Sequence, residues 1–353
     1  MKRLLLIVSV IAVLLPVTAI AQSSQEVRAT VERVVVDETV DHLRHVVFTA
    51  RTNDGMLYTV DSANSYTAGM YYTLREGQDV LLQTVSRADG SQDVFLVDVI
   101  RRPALTWILI LFAMVTIAVG ALRGGMALVG LVVTVGILFG FILPRILAGA
   151  DPVGVTMIGG LVILAVNMHL THGFNRRTLS AFGSTAIGLG LVWGCAEVFV
   201  WAAQLSGVAS EEASLLFLTT DNIAIPTGIL LAGIILGAVG VMDDIAITQT
   251  ETVMELKNAN AAFDRKTLFI AAMRVGRHHI ASVVNTLVLA YAGVALPLFL
   301  LFFLRDDLTV WRFINEELIA EEIIRTLAGT TALVLLVPIA TWFATYVVHR
   351  EIK

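Results

Sequence analysis

Long apolar stretches occupy the last two thirds of this chain, and a shorter segment of mixed polar and β-branched residues precedes them. Each apolar stretch runs for about 18 to 27 residues, enough for a helix to cross the hydrocarbon core of a bilayer. The pattern therefore predicts a membrane protein, an α-helical bundle of about seven transmembrane helices. The predicted spans are residues 105–122, 126–143, 152–170, 179–205, 223–246, 280–304 and 323–348.

The segment from residue 22 to residue 103 has a different pattern. Valine, threonine and aromatic residues follow one another with broken alternation, and turn signals such as Asn53-Asp-Gly55 and Glu76-Gly77 separate the runs. Five short strands in about 80 residues are typical of a small all-β domain of the OB or SH3-like kind. The predicted strands are residues 27–40, 43–52, 56–62, 79–85 and 93–100.

The first residues resemble a secretory leader. Met1-Lys-Arg3 precedes an apolar run, and Ala19-Ile-Ala21 before Gln22 is typical of a cleavage site. We expect a signal peptide over residues 1–21, with an uncleaved anchor as the alternative. In both cases the β-domain, residues 22–103, is delivered outside the cytoplasm.

The distribution of charge predicts the orientation of the transmembrane domain, residues 104–353. Most lysine and arginine residues of the connecting loops fall on the side opposite the β-domain, whereas the outer loops are acidic, as at Glu211-Glu212 and Glu316-Glu317. Because positive loops stay in the cytoplasm, this bias predicts an extracytoplasmic N-terminal domain and a cytoplasmic C-terminus.

Composition narrows the class of protein. Apolar residues make up 57% of the chain and charged residues 15%, and the mean hydropathy is +0.81. The net charge of −5 and the lack of a basic aromatic face in the β-domain argue against nucleic acid as a partner. His42 and His45 would face opposite sides of a strand, and no other metal-ligand spacing occurs, so we expect no metal and no cofactor. Cys195 is expected to be a packed free thiol.

The most informative stretch is residues 226–257, which begins as a membrane helix and ends as a charged one. Seven of its residues recur at intervals of three and four, so a helix places them on one face, which we call the glycine–carboxylate stripe. Its glycines would allow another helix backbone to approach closely. The stripe consists of Gly233, Gly237, Gly240, Asp244, Thr248, Glu251 and Glu255, with Asp243 beside it.

Two interpretations of Asp243 and Asp244 remain open. Carboxylates in or near hydrocarbon are expensive and usually face a bundle interior or a wet cavity, which favours a proton- or cation-handling site. The alternative is that a span from Pro226 ends near Ala246, which places the pair at the inner membrane surface. Asn285 in the sixth span could donate a hydrogen bond to either aspartate across helices, or make an ordinary interhelical hydrogen bond.

The link between the fifth and sixth spans is predicted to contain a separate amphipathic helix, residues 265–277, lying along the membrane surface. Its apolar face would carry Leu268, Phe269, Ala272 and Met273. Arg274 and Arg277 would pair with Glu251, Glu255 or lipid phosphate, or act as simple positive-inside anchors. In the third span, His169 is a candidate proton relay or an ordinary interfacial histidine.

Several motifs resemble the YibE/F family over the seven spans. They are Gly237 to Asp243, Val275-Gly-Arg277, the Asn285 to Gly293 segment with its Asn-Thr-Leu-x-Leu-Ala-Tyr element, and the stretch from Glu322 through Arg325 and Gly329 to Pro338. The positions that match are Asp243, Arg277, Asn285, Tyr291 and Arg325. The resemblance implies a multi-pass bacterial inner-membrane protein. In helix order and orientation, the last five spans are also similar to SecF and RND-type permease halves, in which a bundle couples proton flow to extracytoplasmic work.

We expect a transporter or ion-coupled membrane protein whose site contains Asp243, Asp244, Asn285 and Tyr291, supported by Glu251, Glu255, Arg277 and Arg325. Its partners would be the lipid bilayer and a small solute or ion. The alternative is a membrane scaffold without transport, whose β-domain binds an extracytoplasmic protein or a second copy of the chain. We do not expect an enzyme, because the chain lacks HExxH, GxSxG and a glycine-rich phosphate loop.

Overall fold

A computed structural model of the chain describes residues 25–40, 43–61, 73–86, 92–219, 225–304 and 309–351. The predicted leader, residues 1–21, lies outside the described residues. The chain forms two compact units, and the boundary between them falls between Val119 and Gly120. Each unit is described by itself.

The first unit contains a five-stranded antiparallel sheet in the order β3-β2-β1-β4-β5. The longest strand, β1, pairs with both β2 and β4, and irregular register near Arg33 and Val36 lets it bend between them. All five predicted strands are confirmed, with ends shifted by one or two residues. The strands are β1 (Gln25–Val40), β2 (Leu43–Thr52), β3 (Leu57–Asp61), β4 (Asp79–Ser86) and β5 (Gln92–Val99).

Alternate residues of these strands form the core of the sheet unit. Val31, Phe48, Val60 and Leu82 are each no more than 1% exposed, as expected when every second side chain faces the same side. A polar contact joins β2 and β3 outside this core: His45 Nε2 is 2.7 Å from Asp61 Oδ1. His42 lies outside the described residues.

Most of the remaining described residues are helical, including a π-helical segment at Leu138–Ile142. Five of them are long and apolar enough to cross a membrane, and a sixth span results if one bent pair is counted as a single span. The helices are α1 (Arg102–Ile137), α2 (Leu143–Leu147), α3 (Pro152–His172), α4 (Arg176–Ala202), α5 (Glu211–Thr219), α6 (Ile225–Ala259), α7 (Arg265–Val294), α8 (Leu296–Phe303), α9 (Val310–Asn315) and α10 (Glu317–Glu351).

The first two predicted spans fall within one helical stretch of 46 residues, Arg102–Leu147, which is kinked at Ala121. The backbone leaves the helical region once, at Ala121, with φ 49° and ψ −134°. This break lies two residues before Arg123, where we expected a connection, and no loop separates the two segments. A count of seven spans therefore stays a prediction.

The predicted surface helix is wrong as a separate element. The chain from Arg265 to Val294 is one helix, because no glycine–proline break separates residue 277 from the apolar run that follows. Leu268 and Ala272 pack against Val253 and Ala344, so the apolar face contacts protein. The interruption comes later, where α8 begins at Leu296 with Pro297 in its first turn and the axis bends by 63°.

The core of the second unit lies between α3, α4, α6 and α10. Glycines permit close approach in α3 and α4. A Cβ added to Gly160 would lie 2.9 Å from Val239 Cγ2, and one added to Gly188 would lie 2.8 Å from Met242 Cε. Cys195 is half-buried and packs against the same core. Glycine at both positions therefore allows close helix packing.

Candidate functional site

The helix that carries the glycine–carboxylate stripe is α6, with 35 residues. Its C-terminal end is fixed by Lys257, which is 5% exposed. The Lys257 ammonium donates hydrogen bonds to the carbonyl oxygens of Ala261 at 2.7 Å and Phe263 at 2.8 Å. Because these carbonyls belong to the link before α7, the lysine holds the link against α6. Sequence analysis did not identify this contact.

The two faces of α6 differ sharply in burial. Ile235, Met242 and Ala246 are fully buried against the rest of the bundle. The stripe lies on the opposite side: Gly237, Gly240, Asp244, Glu251 and Glu255 are exposed, and Gly233, Asp243 and Thr248 are half-buried. The seven residues of the stripe thus share one face, as predicted, and that face is the open one.

The glycines of the stripe contact polar side chains. A Cβ added to Gly233 would lie 2.9 Å from an Arg325 guanidinium nitrogen, and one added to Gly237 would lie 2.6 Å from the Tyr291 hydroxyl oxygen. At Gly240 nothing lies within 4 Å of the added atom. The expected approach of another helix backbone is therefore replaced by the ends of two long side chains. Small residues here leave room for the tyrosine and the arginine.

Tyr291 and Arg325 belong to a polar group that includes Glu322. Arg325 Nε lies 3.3 Å from Glu322 Oε1, and both side chains are about three-quarters buried. The charges of Arg325 and Glu322 act on the Tyr291 hydroxyl. Three helix faces thus meet here, with α7 and α10 supplying the polar atoms and α6 supplying the space. We call these residues the Tyr291–Arg325 cluster.

The carboxylate end of the stripe contains a second polar group. Asp243 Oδ1 accepts a hydrogen bond from the Asp244 N–H at 2.9 Å, and Thr248 Oγ1 lies 3.4 Å from Asp244 Oδ1. His172 is the last residue of α3. The charges of Asp243, Glu251 and Arg123 all act on its imidazole ring. Sequence analysis considered His169 in this helix and did not identify His172.

The remaining predicted site residues stand apart from these two groups. Asn285, Glu255 and Arg277 are exposed, and within the described residues no hydrogen bond links Asn285 to Asp243 or Asp244. Over the same residues, no ion pair joins Arg277 to the stripe, and no group of three or more His, Cys, Asp or Glu side chains could hold a metal ion.

His169 makes contacts typical of an aromatic packing residue. Its Nδ1 lies 2.7 Å from the carbonyl oxygen of Ala165 in the same helix, so that nitrogen carries the proton. The ring centroid is 4.6 Å from that of Phe174 and 6.0 Å from that of Phe182. These contacts favour the interfacial interpretation over the relay.

A buried polar group that sequence analysis did not identify lies where α6, α7 and α10 meet. Gln249 and Thr341 are fully buried, and their side-chain oxygens are 2.9 Å apart. A Cβ added to Gly276 would lie 3.1 Å from the Gln249 amide oxygen. The only signal in the sequence is the polar run Thr248-Gln-Thr250 within an otherwise apolar helix.

Comparison with known proteins supports the resemblance noted in the motifs. No curated protein and no solved structure matches the chain. A family profile described as "YibE/F-like protein" matches residues 108–350. That match covers well over half of the chain and includes α3, α4, α6, α7 and nearly all of α10, together with every predicted site residue. The chain therefore belongs to the YibE/F-like protein family.

Proposed function

We propose that this membrane protein is an ion-coupled transporter whose pathway follows the glycine–carboxylate stripe of α6. The observation that carries the proposal is the length of that polar face. Gly233 contacts Arg325 at one end, and Glu251 lies near His172 at the other. Eighteen helical steps separate the two residues, about 27 Å, which is close to the hydrocarbon thickness of a bilayer, about 30 Å.

The groups along this face suit proton or small-cation movement. The Tyr291 hydroxyl is both a hydrogen-bond donor and an acceptor. Asp243 lies six residues after Gly237, the α6 residue that Tyr291 contacts, which is about 9 Å further along the helix axis. Gly240 lies between them with open space beside it, room that water could occupy. Polar groups inside a span usually mark ion pathways. In this scheme Asp243 exchanges the proton, and the solute is a small molecule or ion.

The orientation proposed from the loop charges places the β-domain outside the cytoplasm and the C-terminus inside, in a bacterial inner membrane. The Tyr291–Arg325 cluster then faces outward, and Asp243 and His172 face the cytoplasm. For the β-domain we infer an OB-type barrel. In support, β1 pairs with both β2 and β4, and the edge strands β3 and β5 contact each other. No enzymatic step is part of this proposal.

Proton flux into liposomes tests the transport proposal. The purified chain would be reconstituted with a pH-sensitive dye inside, and a potential imposed across the membrane. Asp243→Asn removes the titratable group at nearly constant size, so flux should fall on the order of 10²-fold. Glu197→Gln is the matched control, because Glu197 is an exposed carboxylate of α4 that lies off the stripe. Wild-type flux in Asp243→Asn, Asp244→Asn and the double variant would contradict the proposal.

A membrane scaffold without transport is the second candidate. A cavity of about 490 Å³ in the sheet unit favours it, with Arg28, Asn53, Asp79 and Trp107 among its lining residues. A pocket of this size suits a short peptide segment or a small ligand. In a complementation assay, a scaffold would tolerate Asp243→Asn and fail when residues 22–103 are deleted. The transporter predicts failure in both cases.

A further inference from the structure

We propose that Glu321 binds one monovalent cation, a proton or an alkali-metal ion, beside the Tyr291–Arg325 cluster. The site deepens the proposed function, on which it rests only for its link to transport, because it names a residue where the coupling ion would bind. The binding itself follows from three observations on the first turns of α10.

The first observation is burial. Glu321 is 5% exposed, and its Oε1 has no hydrogen-bond partner among the described residues. The backbone of Ala209, in the segment between α4 and α5, is the one backbone group outside α10 that acts on this carboxyl group. Burying an ionised carboxylate with half of its acceptor capacity unused is costly unless a positive charge compensates it.

The second observation is the balance of charge around this group. The charged side chains that act on Glu321 are Glu317, Glu322 and Arg325. Arg325 forms its ion pair with Glu322 at 3.3 Å, and Glu317 accepts a hydrogen bond from the Ser206 hydroxyl at 2.7 Å. Each neighbouring carboxylate therefore has a partner of its own. Among the described residues, Glu321 is the carboxylate of these three that has no side-chain partner. Three carboxylates thus lie near a single guanidinium group.

The third observation is position along the helix. Acidic residues in the first turn of a helix are commonly stabilised by the helix dipole, and this explains Glu317, the first residue of α10. Glu321 lies one full turn further on, where that effect has decayed. Its presence in a buried position needs another cause, and a bound cation provides one.

The chemistry favours a monovalent ion. Ca²⁺ and Mg²⁺ sites draw on several oxygen ligands, usually more than one carboxylate. No three acidic, histidine or cysteine side chains within the described ranges are close enough to hold a metal ion together. One carboxylate oxygen supplies a single negative charge, which a proton or an alkali ion neutralises.

Thermal unfolding of the purified full chain in detergent tests the site. One series varies NaCl against choline chloride at fixed pH, and a second varies pH without sodium. A response to sodium that Glu321→Gln lacks identifies the alkali ion, and a response to pH alone that this variant lacks identifies the proton. Either should raise the wild-type Tm by on the order of 5 °C at hundredfold excess over the dissociation constant. Glu321→Gln should lose the sodium response, or the part of the pH response that Glu321 contributes in the wild-type chain, because its amide is already neutral.

Glu197→Gln is again the control and should respond as wild type does. If Glu321→Gln does not fold, Glu321→Asp replaces it: the shorter side chain should need at least about tenfold more cation for the same shift. A wild-type response in either Glu321 variant, or no response in the wild-type chain, overturns the proposal. Because the readout is binding alone, a failed flux assay contradicts the transport proposal and leaves this one standing.

Discussion

The two faces of α6 differ in the contacts that they make with the other helices. The buried face packs through Ile235, Met242 and Ala246 against α3, α4 and α10. The stripe face meets the end of Arg325 at Gly233 and the end of Tyr291 at Gly237, and it is open at Gly240. One helix therefore carries a packed face on one side and the proposed ion pathway on the other. Changes on one side should unfold the bundle, and changes on the other should alter ion handling in a folded protein.

The largest effect is expected on the buried face. Met242 is fully buried, and its methyl group lies against Gly188. Met242→Ala should reduce the free energy of unfolding by about 2–5 kcal/mol, because it removes packed atoms and leaves a cavity. Denaturant unfolding in detergent measures this change. Gly240→Ala on the stripe face is the matched control and should be neutral or stabilising by about 1 kcal/mol at most. Equal losses in the two variants would remove the distinction between the faces.

The Gln249–Thr341 pair tests the comparison of the two faces further, because it is a polar contact on the packed side of α6. Thr341→Val leaves the Gln249 amide without its partner and should cost about 1–3 kcal/mol. Adding Gln249→Leu should recover much of that loss, because no buried amide then remains unpaired. A double-mutant cycle measures the coupling between the two residues. Strictly additive losses would mean that the contact contributes nothing.

A smaller effect on stability, with a larger one on flux, is expected at Gly237. Gly237→Ala places a methyl group against the Tyr291 hydroxyl, so the flexible side chain must move. Stability should change by about 0.5 kcal/mol or less, while proton flux should fall severalfold. Gly194→Ala in α4, off the stripe and also with no neighbour within 4 Å, controls for helix propensity. Equal flux in both variants would show that the tyrosine position is unimportant.

The smallest effect concerns the start of α7, outside both faces. Hydrogen bonds from the Thr267 hydroxyl and backbone N–H hold the pKa of Asp264 below its ordinary value. A lowered folded pKa stabilises the protein above the unfolded value, about 4, and this contribution is lost as the pH falls through the folded value. Asp264→Asn keeps the cap without the charge. The Tm difference between wild type and this variant should shrink between about pH 5 and about pH 3. A constant difference would contradict the assignment.

Periodicity in the sequence correctly predicted which residues of α6 share a face, because helical spacing is a local property. It could not predict what touches that face, since Tyr291 and Arg325 lie 54 and 92 residues from Gly237 and Gly233. The strands were found because turn residues mark their ends. The α7 helix was divided wrongly, since charged residues at 274 and 277 suggested a boundary where the backbone has none.

The position of Asp243 along α6 makes acyl-chain length a variable for this protein. The apolar run from Pro226 to Met242 rises about 25 Å, several Å less than the hydrocarbon core of an average bilayer. In a thin membrane the carboxylate reaches the headgroup region, and in a thick one the helix must tilt or thin the lipid around it. The choice of lipid therefore sets how wet the aspartate is, before any residue is changed.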